Sequence, residues 1–389
     1  MQIPERTEVM IVGAGPCGLA LAGCLAQRRI EHVLIDRLRE PRATSRAAAV
    51  QARTLEVLEP LGVSRELIRR GVLAETFDIF SGDELRTRIS FAGLETAYPF
   101  VLLLPQDQTE RVLEERLRAL GGGVLRGCEA ARLTDDDAEG YARVDVDTPV
   151  GPRTIRARYV IGADGLHSMV RASLGIRFDE GTYPQSFVLG DVRLDREIGP
   201  YALRLSLADH GILLTAPFGD RRYRLIGAVQ ALPGPVDAGL LQAMLDERAP
   251  RVHRARIEAV AWSSGFRVHH GVAEHLRAGN VFLVGDAAHV HSPAGGQGMN
   301  NGIQDAVLLA DLLARVLRSG SAPSALDAYE AMRLPRAREV VAFTDRLTRA
   351  LSLESTPARH LRDRLVELLG TVPALRHLLA KNLAELDER

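Results

Sequence analysis

The chain has almost no lysine. Lys381 is the only one in 389 residues, so the positive charge is nearly all arginine, and chemistry through a lysine Schiff base or a lysine nucleophile is not expected. Cysteine is also scarce. Cys17, Cys24 and Cys128 form no CxxC pair and no disulfide framework. Cys17 and Cys24, seven apart on one helical pattern, read as small buried side chains. No apolar run approaches the roughly 20 residues that span a bilayer. The N-terminus, MQIPERTEVMIVGAG, has none of the three regions of a secretory signal, and a cytoplasmic location is expected. The formal net charge of −1 gives no reason to expect nucleic acid or an anionic membrane as a partner. Internal repeats and low-complexity linkers are absent as well. What is present, 46% hydrophobic and 25% charged residues, is enough for two closely packed domains.

The first sixty residues carry a mechanism. In EVMIVGAGPCGLALAGCLAQRRIEHVLIDR, Glu8–Val12 is a short apolar strand, and Gly13, Gly15 and Gly18 fit GxGxxG. A helical pattern follows to about Arg28, and His32–Asp36 is a second strand. The first glycine permits a tight turn, the second lets backbone approach a pyrophosphate, and the third lets helix and strand pack closely. The helix N-terminus brings unpaired N–H groups and a positive dipole end to that pyrophosphate. Asp36 stands where an acid takes a ribose hydroxyl. The pattern specifies a dinucleotide and leaves open FAD or NAD(P). Beyond it, PRATSRAAAVQARTLEVLEPLGV carries a loop of small residues around Arg46, then a helix from about Gln51 to Glu59.

The rest of the chain reads as an interrupted nucleotide-binding unit. An amphipathic helix at 106–120 is followed by strands, a turn at GADG and a second strand–turn–helix unit with Ser168 and Arg171 in its first turns. Residues 178–270 hold short β-type runs, FVLGDVRL, ALRLSL, GILLTAPF and YRLIGAV, with turns between them: a mostly antiparallel sheet, inserted rather than appended. The parallel-type strand returns at 281–284, and helical patterns cover about 299–318, 324–352, 357–369 and 372–386. The fold class is therefore α/β, with an expected division into 1–177 (with a β excursion at about 75–105), 178–270, 271–350 and C-terminal helices at 351–389.

The segment VGDAAHVHSPAGGQGMNNGIQDA, residues 284–306, poses the main question. An acid, two histidines and a glycine cluster meet one helix N-terminus. A metal site is disfavoured, because His289 and His291 are two apart and point oppositely on an extended loop, with no motif arranging Asp286 and Asp305 as further ligands. A second phosphate cradle explains the glycines but not the apolar strand running in. A seat for a flat anionic ring fits best: Pro293–Gly298 has no bulky side chain, and the helix starting near Met299 aims its dipole at that ring, worth ~0.3–2 kcal/mol to a negative charge there.

With these motifs in hand, the sequence resembles the class A FAD-dependent aromatic hydroxylases, flavoprotein monooxygenases of the p-hydroxybenzoate hydroxylase fold. The resemblance rests on GAGPCG (13–18), GADGLHS (162–168) and GDAAHVHSPAGGQGMNNGIQDA (285–306), on SRAAAVQARTLEVLEPLG and on LPQDQTERVLEERL, and covers about residues 7–350. It implies a Rossmann-like FAD-binding domain, an inserted antiparallel substrate sheet and a helical C-terminus. It also implies that Gly13, Gly15 and Gly18 hold the FAD pyrophosphate, with Asp36 at the adenosine ribose, Ala131 near adenine, and Pro16, Cys17 and Arg37 among the cofactor-binding residues. Arg46, the candidate catalytic residue, and Gln106 lie beside the flavin. Asp164 serves FAD and a transient NADPH or NADH. Gly285 and Asp286 meet the ribityl–pyrophosphate region, and Pro293, Gly295, Gly296, Gln297, Gly298, Met299 and Asn300 line the isoalloxazine. No metal is implied. Gly271 stands where the family often has arginine. Larger polyketide-tailoring members add a thioredoxin-like C-terminal domain, which is not expected here. Halogenation by a related fold needs a second tryptophan and a lysine; Trp262 is the only tryptophan.

The implied activity is NAD(P)H-consuming hydroxylation of a phenolic or polyketide-like aromatic with O2, through a C4a-hydroperoxyflavin. The cofactor carries the chemistry, so no Ser-His-Asp set or paired carboxylate is expected. Baeyer–Villiger or epoxidising oxygenation by the same flavin stays open, as does a flavin-holding partner protein without turnover. His289 and His291 are possible acceptors of a phenol proton, with packing as the favoured reading. Tyr98, Phe187, Arg204, His210 and Phe218 are possible pocket residues of the inserted sheet, each better read as core or surface. Oligomeric state is not legible.

Overall fold

A computed structural model describes residues 3–41, 47–134, 140–199, 201–232, 234–293, 295–351 and 356–387. The chain begins with β1 (Arg6–Val12), α1 (Pro16–Gln27), β2 (His32–Asp36), β3 (Ala49–Val50), α2 (Ala52–Leu58), α3 (Ser64–Arg70), β4 (Val72–Ala74), β5 (Thr76–Ser81), β6 (Glu84–Ser90) and β7 (Val101–Leu103). It continues with α4 (Gln106–Ala119), β8 (Val124–Arg126), β9 (Glu129–Thr134), β10 (Ala142–Asp147), β11 (Arg153–Gly162), α5 (Met169–Ser173), β12 (Phe178–Leu194), β13 (Leu203–Ala208), β14 (Gly211–Gly219) and β15 (Arg222–Val229). Then come α6 (Ala238–Arg248), β16 (Ile257–Ala273), β17 (Arg277–Ala278), β18 (Val281–Leu283), β19 (His289–Val290), α7 (Gly298–Ser319), α8 (Asp327–Leu351), α9 (Thr356–Thr371) and α10 (Pro373–Leu383).

The first sheet runs β17-β18-β11-β1-β2-β8, with the β9–β10 hairpin attached to β11. From β18 to β8 its neighbours are parallel. Helices cover it, so its strands are apolar on both faces: Val9, Met10 and Ile11 are inaccessible to solvent. The parallel register brings the carboxyl ends level, Val12 opposite Gly162 and Gly162 opposite Leu283. The three glycine motifs, which follow β1, β11 and β18 in sequence, therefore open side by side at one edge. That edge is where open α/β sheets bind ligands.

The second sheet runs β19-β16-β12-β15-β14-β13-β5-β6. It is antiparallel except where β13 meets β5. Strands from the early excursion thus complete a sheet whose body comes a hundred residues later. Its side chains alternate: Leu203, Leu205 and Leu207 face a large cavity, while Arg204 and Ser206 are buried on the other side. The helices α9 and α10 pack on β6.

Close packing of α1 on α7 explains two small residues. A Cβ on Gly285 would lie 2.6 Å from Cys17 Sγ, and one on Gly302 would lie 2.5 Å from it. The thiol fills a notch made by two glycines, and burial pushes its pKa well above the ordinary value. At its other end α7 stops at Gly320, in the left-handed region with φ 68°.

Candidate active site

The level strand ends enclose one edge of a cavity of about 1240 Å³. A single small ligand occupies roughly 300–1,000 Å³, so this space suits a dinucleotide together with a second molecule. It is lined by Gly13, Gly15, Asp36, Arg37, Ala131 and Asp164, and by Gln106, Asp286, Pro293, Gly295, Gly296 and Gly298. Pro16, Cys17, Gln297 and Met299 also reach the wall. Every cofactor residue expected from sequence is therefore on the cavity, except Gly18, Gly285, Asn300 and Arg46. Arg46 falls outside the described residues.

The three described exceptions shape the wall from behind. A Cβ at Gly18 would meet Gly13 O at 1.9 Å, so Gly18 permits the turn that exposes its neighbours. Gly285 has φ 61° and turns the chain out of β18. Asn300 is fully buried. Its Nδ2 donates to Gly296 O at 2.8 Å and Ala49 O at 2.9 Å, and its Oδ1 accepts from Gln51 N at 2.9 Å. One side chain thus clamps the turn at Gly296 to β3.

Two helices start at this cavity without side-chain caps. Neither Gly15 before α1 nor Gln297 before α7 caps with its side chain, and neither first turn contains an acid. A helix N-terminus leaves four N–H groups unpaired, and an anion is their natural partner. At Gly13 a Cβ would sit 2.3 Å from Ala163 O, whereas at Gly15 it would meet nothing within 4 Å, so the second glycine is open for backbone to approach a ligand. Asp36 is held at the wall, accepting from Ala14 N at 2.7 Å and Leu38 N at 2.8 Å. Gln51 Oε1, Gln297 Oε1 and Asp164 Oδ1 are buried on this wall without a hydrogen-bond partner. Buried polar atoms are normally paired; a ligand with several donors and acceptors on a flat ring and a ribityl chain supplies what they lack. These residues fit FAD.

Behind the wall, Asp305 ties the motifs together. Its carboxylate accepts from Gly285 N at 3.3 Å and Arg333 Nε at 2.6 Å and pairs with His289 Nε2 at 2.7 Å. Burial alone would raise its pKa, but Arg333 and His289 hold it at about 2. His289 is a packed structural residue. His291 reaches the cavity wall, its Nδ1 3.0 Å from Ser292 O. Burial lowers its pKa to about 4, so the ring is neutral at pH 7 and Nδ1 donates to that carbonyl. Across the sheet edge, Arg171 donates to Ala287 O at 2.9 Å and Leu166 O at 2.7 Å, joining the second motif to the third.

The far end of the cavity is apolar. Phe77, Ile79, Leu205, Leu207, Ile212 and Leu214 come from the second sheet, and Val366, Leu379 and Leu383 from the C-terminal helices. Of the five pocket residues considered from sequence, Phe187 alone lines it. Sequence reasoning missed Gln51, Arg224 and the C-terminal helices. Arg224 carried a signal, a charge inside the apolar strand YRLIGAV. It is 1% exposed, bound at 2.7 Å through both Nε and Nη2 to Asp191, and donates from Nη1 to Ala47 O at 2.9 Å.

The comparisons agree with this geometry. The family model described as "FAD binding domain" matches residues 6–344. The chain is 36% identical over 360 residues to 6-methylpretetramide 4-monooxygenase of Streptomyces rimosus, covering 91% of this chain but only 64% of that protein. Among solved structures, anhydrotetracycline hydroxylase from Streptomyces rimosus aligns with a TM-score of 0.82 at 32% identity, over 99% of this chain and 77% of that one. The p-nitrophenol 4-monooxygenase of Pseudomonas putida aligns with a TM-score of 0.88 at 25% identity, over 99% and 100%. Uncapped helix ends, orphaned acceptors and glycine turns at three level strand ends thus belong to a known architecture, and the chain is a member of the FAD-binding family of class A flavin-dependent aromatic hydroxylases.

Proposed function

We propose that this protein is an FAD-dependent, NAD(P)H-consuming monooxygenase that hydroxylates a phenolic or polyketide-like aromatic. The observation that carries the reading is the continuity of one cavity from the uncapped N-termini of α1 and α7 to an apolar chamber. Bound FAD, reduced by NAD(P)H, supplies the activation of O2. The chain's own residues do the rest. Gly13 and Gly15 bring backbone to the pyrophosphate, with the α1 dipole behind it. Asp36 takes a ribose hydroxyl. The loop Pro293–Gly298 and the start of α7 face the ring edge where negative charge collects on reduction. Asn300 and Gln51 keep that loop against β3. The apolar chamber keeps water from the reacting carbon. Arg46 is proposed to act beside the ring and Asp164 at the dinucleotide. Relatives named for 6-methylpretetramide and anhydrotetracycline support a polycyclic substrate.

The test is a panel of phenols scored by stimulated NADPH oxidation under ¹⁸O2. Hydroxylation predicts a product heavier by one labelled oxygen that resists mild alkaline hydrolysis; a Baeyer–Villiger product is an ester or lactone and opens. NADPH oxidation that no phenol stimulates, with no labelled product, would refute the proposal and favour a non-catalytic flavin protein.

A further inference from the structure

The C-terminal helices lie beyond the family match, which ends at residue 344, yet they close the apolar chamber. On α9, Arg362 and Val366 are one turn apart and both face the cavity. Arg362 is 8% exposed. Its Nε and Nη2 both lie 2.9 Å from Asp363 Oδ1. Asp363 is itself fixed, its Oδ2 accepting from Ser81 Oγ at 2.8 Å. One edge of the guanidinium is therefore held, while Nη1 has no partner among the described residues. Arg362 itself lines the cavity wall.

The sheet register locates this cation. Phe77 pairs with Leu203, and Ser81 pairs with Leu207 four residues further along β5. Leu207 in turn pairs with Ile212. The first rung is level with Ala216, which pairs with Arg224, and Arg224 holds Ala47 O beside the ring loop. The rung at Ser81, where Asp363 docks, is roughly 13 Å further along the strand. The wall between is apolar. Among the described residues, the acids on the cavity wall, Asp36, Glu110, Glu129, Asp147, Asp164 and Asp286, all lie on segments of the nucleotide-binding unit and none on the second sheet or the C-terminal helices. Two arginines of the second sheet also reach the wall and are differently placed: Arg224 is bound to Asp191 and Ala47, and Arg267 is exposed.

Resting on the proposed monooxygenase reading, we propose that Arg362 determines specificity by docking an anionic oxygen group of the substrate at the end of the chamber remote from the ring loop. The substrate class is then an acidic aromatic of two or more rings, with the anionic group at the end opposite the reacting ring. A guanidinium with one edge fixed and the other without a partner among the described residues is pre-organised for such a group: the cation loses no further rotamer freedom, and charge-assisted bonds offset the water that the anion gives up on entering apolar surroundings.

The experiment uses the FAD-loaded protein. Binding of 6-hydroxy-2-naphthoate and its methyl ester, and of 4′-hydroxybiphenyl-4-carboxylate and its methyl ester, is read by perturbation of flavin fluorescence. The acids are expected to bind the wild type at least about ten-fold more tightly than the esters, a difference of 1.4 kcal/mol. Arg362→Met should bring that ratio near one, and Arg362→Lys should leave an intermediate ratio, with melting temperature and FAD affinity unchanged in both. A side chain that only anchors α9 would shift melting temperature without changing the ratio. Equal binding of acid and ester by the wild type, or an unchanged ratio in Arg362→Met, overturns the proposal, as does failure of both pairs to bind. None of these outcomes touches the monooxygenase reading if a neutral phenol such as 2-naphthol stimulates NADPH oxidation.

Discussion

Replacing Gly296 by valine is the sharpest test of the ring loop. Gly296 has φ 65°, in the left-handed region, and a Cβ there would lie 3.3 Å from Ala49 Cβ and 3.6 Å from Gln51 Nε2. The left-handed backbone costs an ordinary residue ~1–2 kcal/mol, and forcing the branched side chain against β3 adds ~1–2 kcal/mol. At ~2.1 cal/mol/K per residue, unfolding 389 residues has an entropy of ~0.8 kcal/mol/K. A loss of ~2–4 kcal/mol therefore lowers the melting temperature by ~3–5 °C. The wedge also separates the two carbonyls, Gly296 O and Ala49 O, that Asn300 holds together. Losing one such bond, ~1 kcal/mol, from the surface that meets the flavin should weaken FAD about five-fold. The assay is a melting curve and an FAD titration on the same variant, with Gly296→Ala as the milder member of the pair. A lower melting temperature with unchanged FAD affinity would mean that this glycine serves only the turn into α7. Wild-type values for both would refute the account of the loop.

Arg333→Met leaves the buried Asp305 carboxylate with His289 as its remaining ionisable partner and should cost roughly 3–5 kcal/mol in urea unfolding; adding Asp305→Asn should recover part of it, and a double variant as unstable as the single one contradicts the ion-pair account. Glu385, buried between Gln304 and Asn301, has its pKa raised by burial to about 8. The folded state therefore holds that proton more tightly than the unfolded chain, so stability should fall as pH rises from about 4.3 towards 8, at ~1.4 kcal/mol per pH unit. In Glu385→Gln this decline disappears, and a wild-type-to-variant difference in melting temperature that stays constant between pH 5.5 and 8.5 would disprove it. FAD should be bound noncovalently, because burial raises the pKa of Cys17 and of Cys128, the two cysteines on the cavity wall, and disfavours a reactive thiolate; acid precipitation should leave all flavin in the supernatant, and a yellow pellet speaks against this. Arg46→Ala should reduce NADPH-driven turnover while changing stability by less than ~0.5 kcal/mol, and unchanged kinetics would make Arg46 an ordinary surface residue.

The sequence alone determined whatever depends on local backbone chemistry. Gly13, Gly15 and Gly18 were legible because the turn after an apolar strand tolerates no side chain at the first and third positions. Asp36, Asp286 and the loop Pro293–Gly298 were legible because a strand end and a helix start fix where neighbouring residues stand. Tertiary structure decided what is made by residues far apart in the chain. Asn300 reads as one more loop residue until the fold sets it against Ala49, 251 positions away. Asp305 had no assigned role in the sequence beyond a disfavoured metal site; packing with Arg333 and His289 makes it a buried tie. The excursion at 76–90 joins the inserted sheet only through the parallel pairing of β5 with β13. Arg362 carries no motif, because a cation's role is set by what surrounds it. Only the docking of α9 on β6 takes that charge out of water and places it at the end of an apolar chamber.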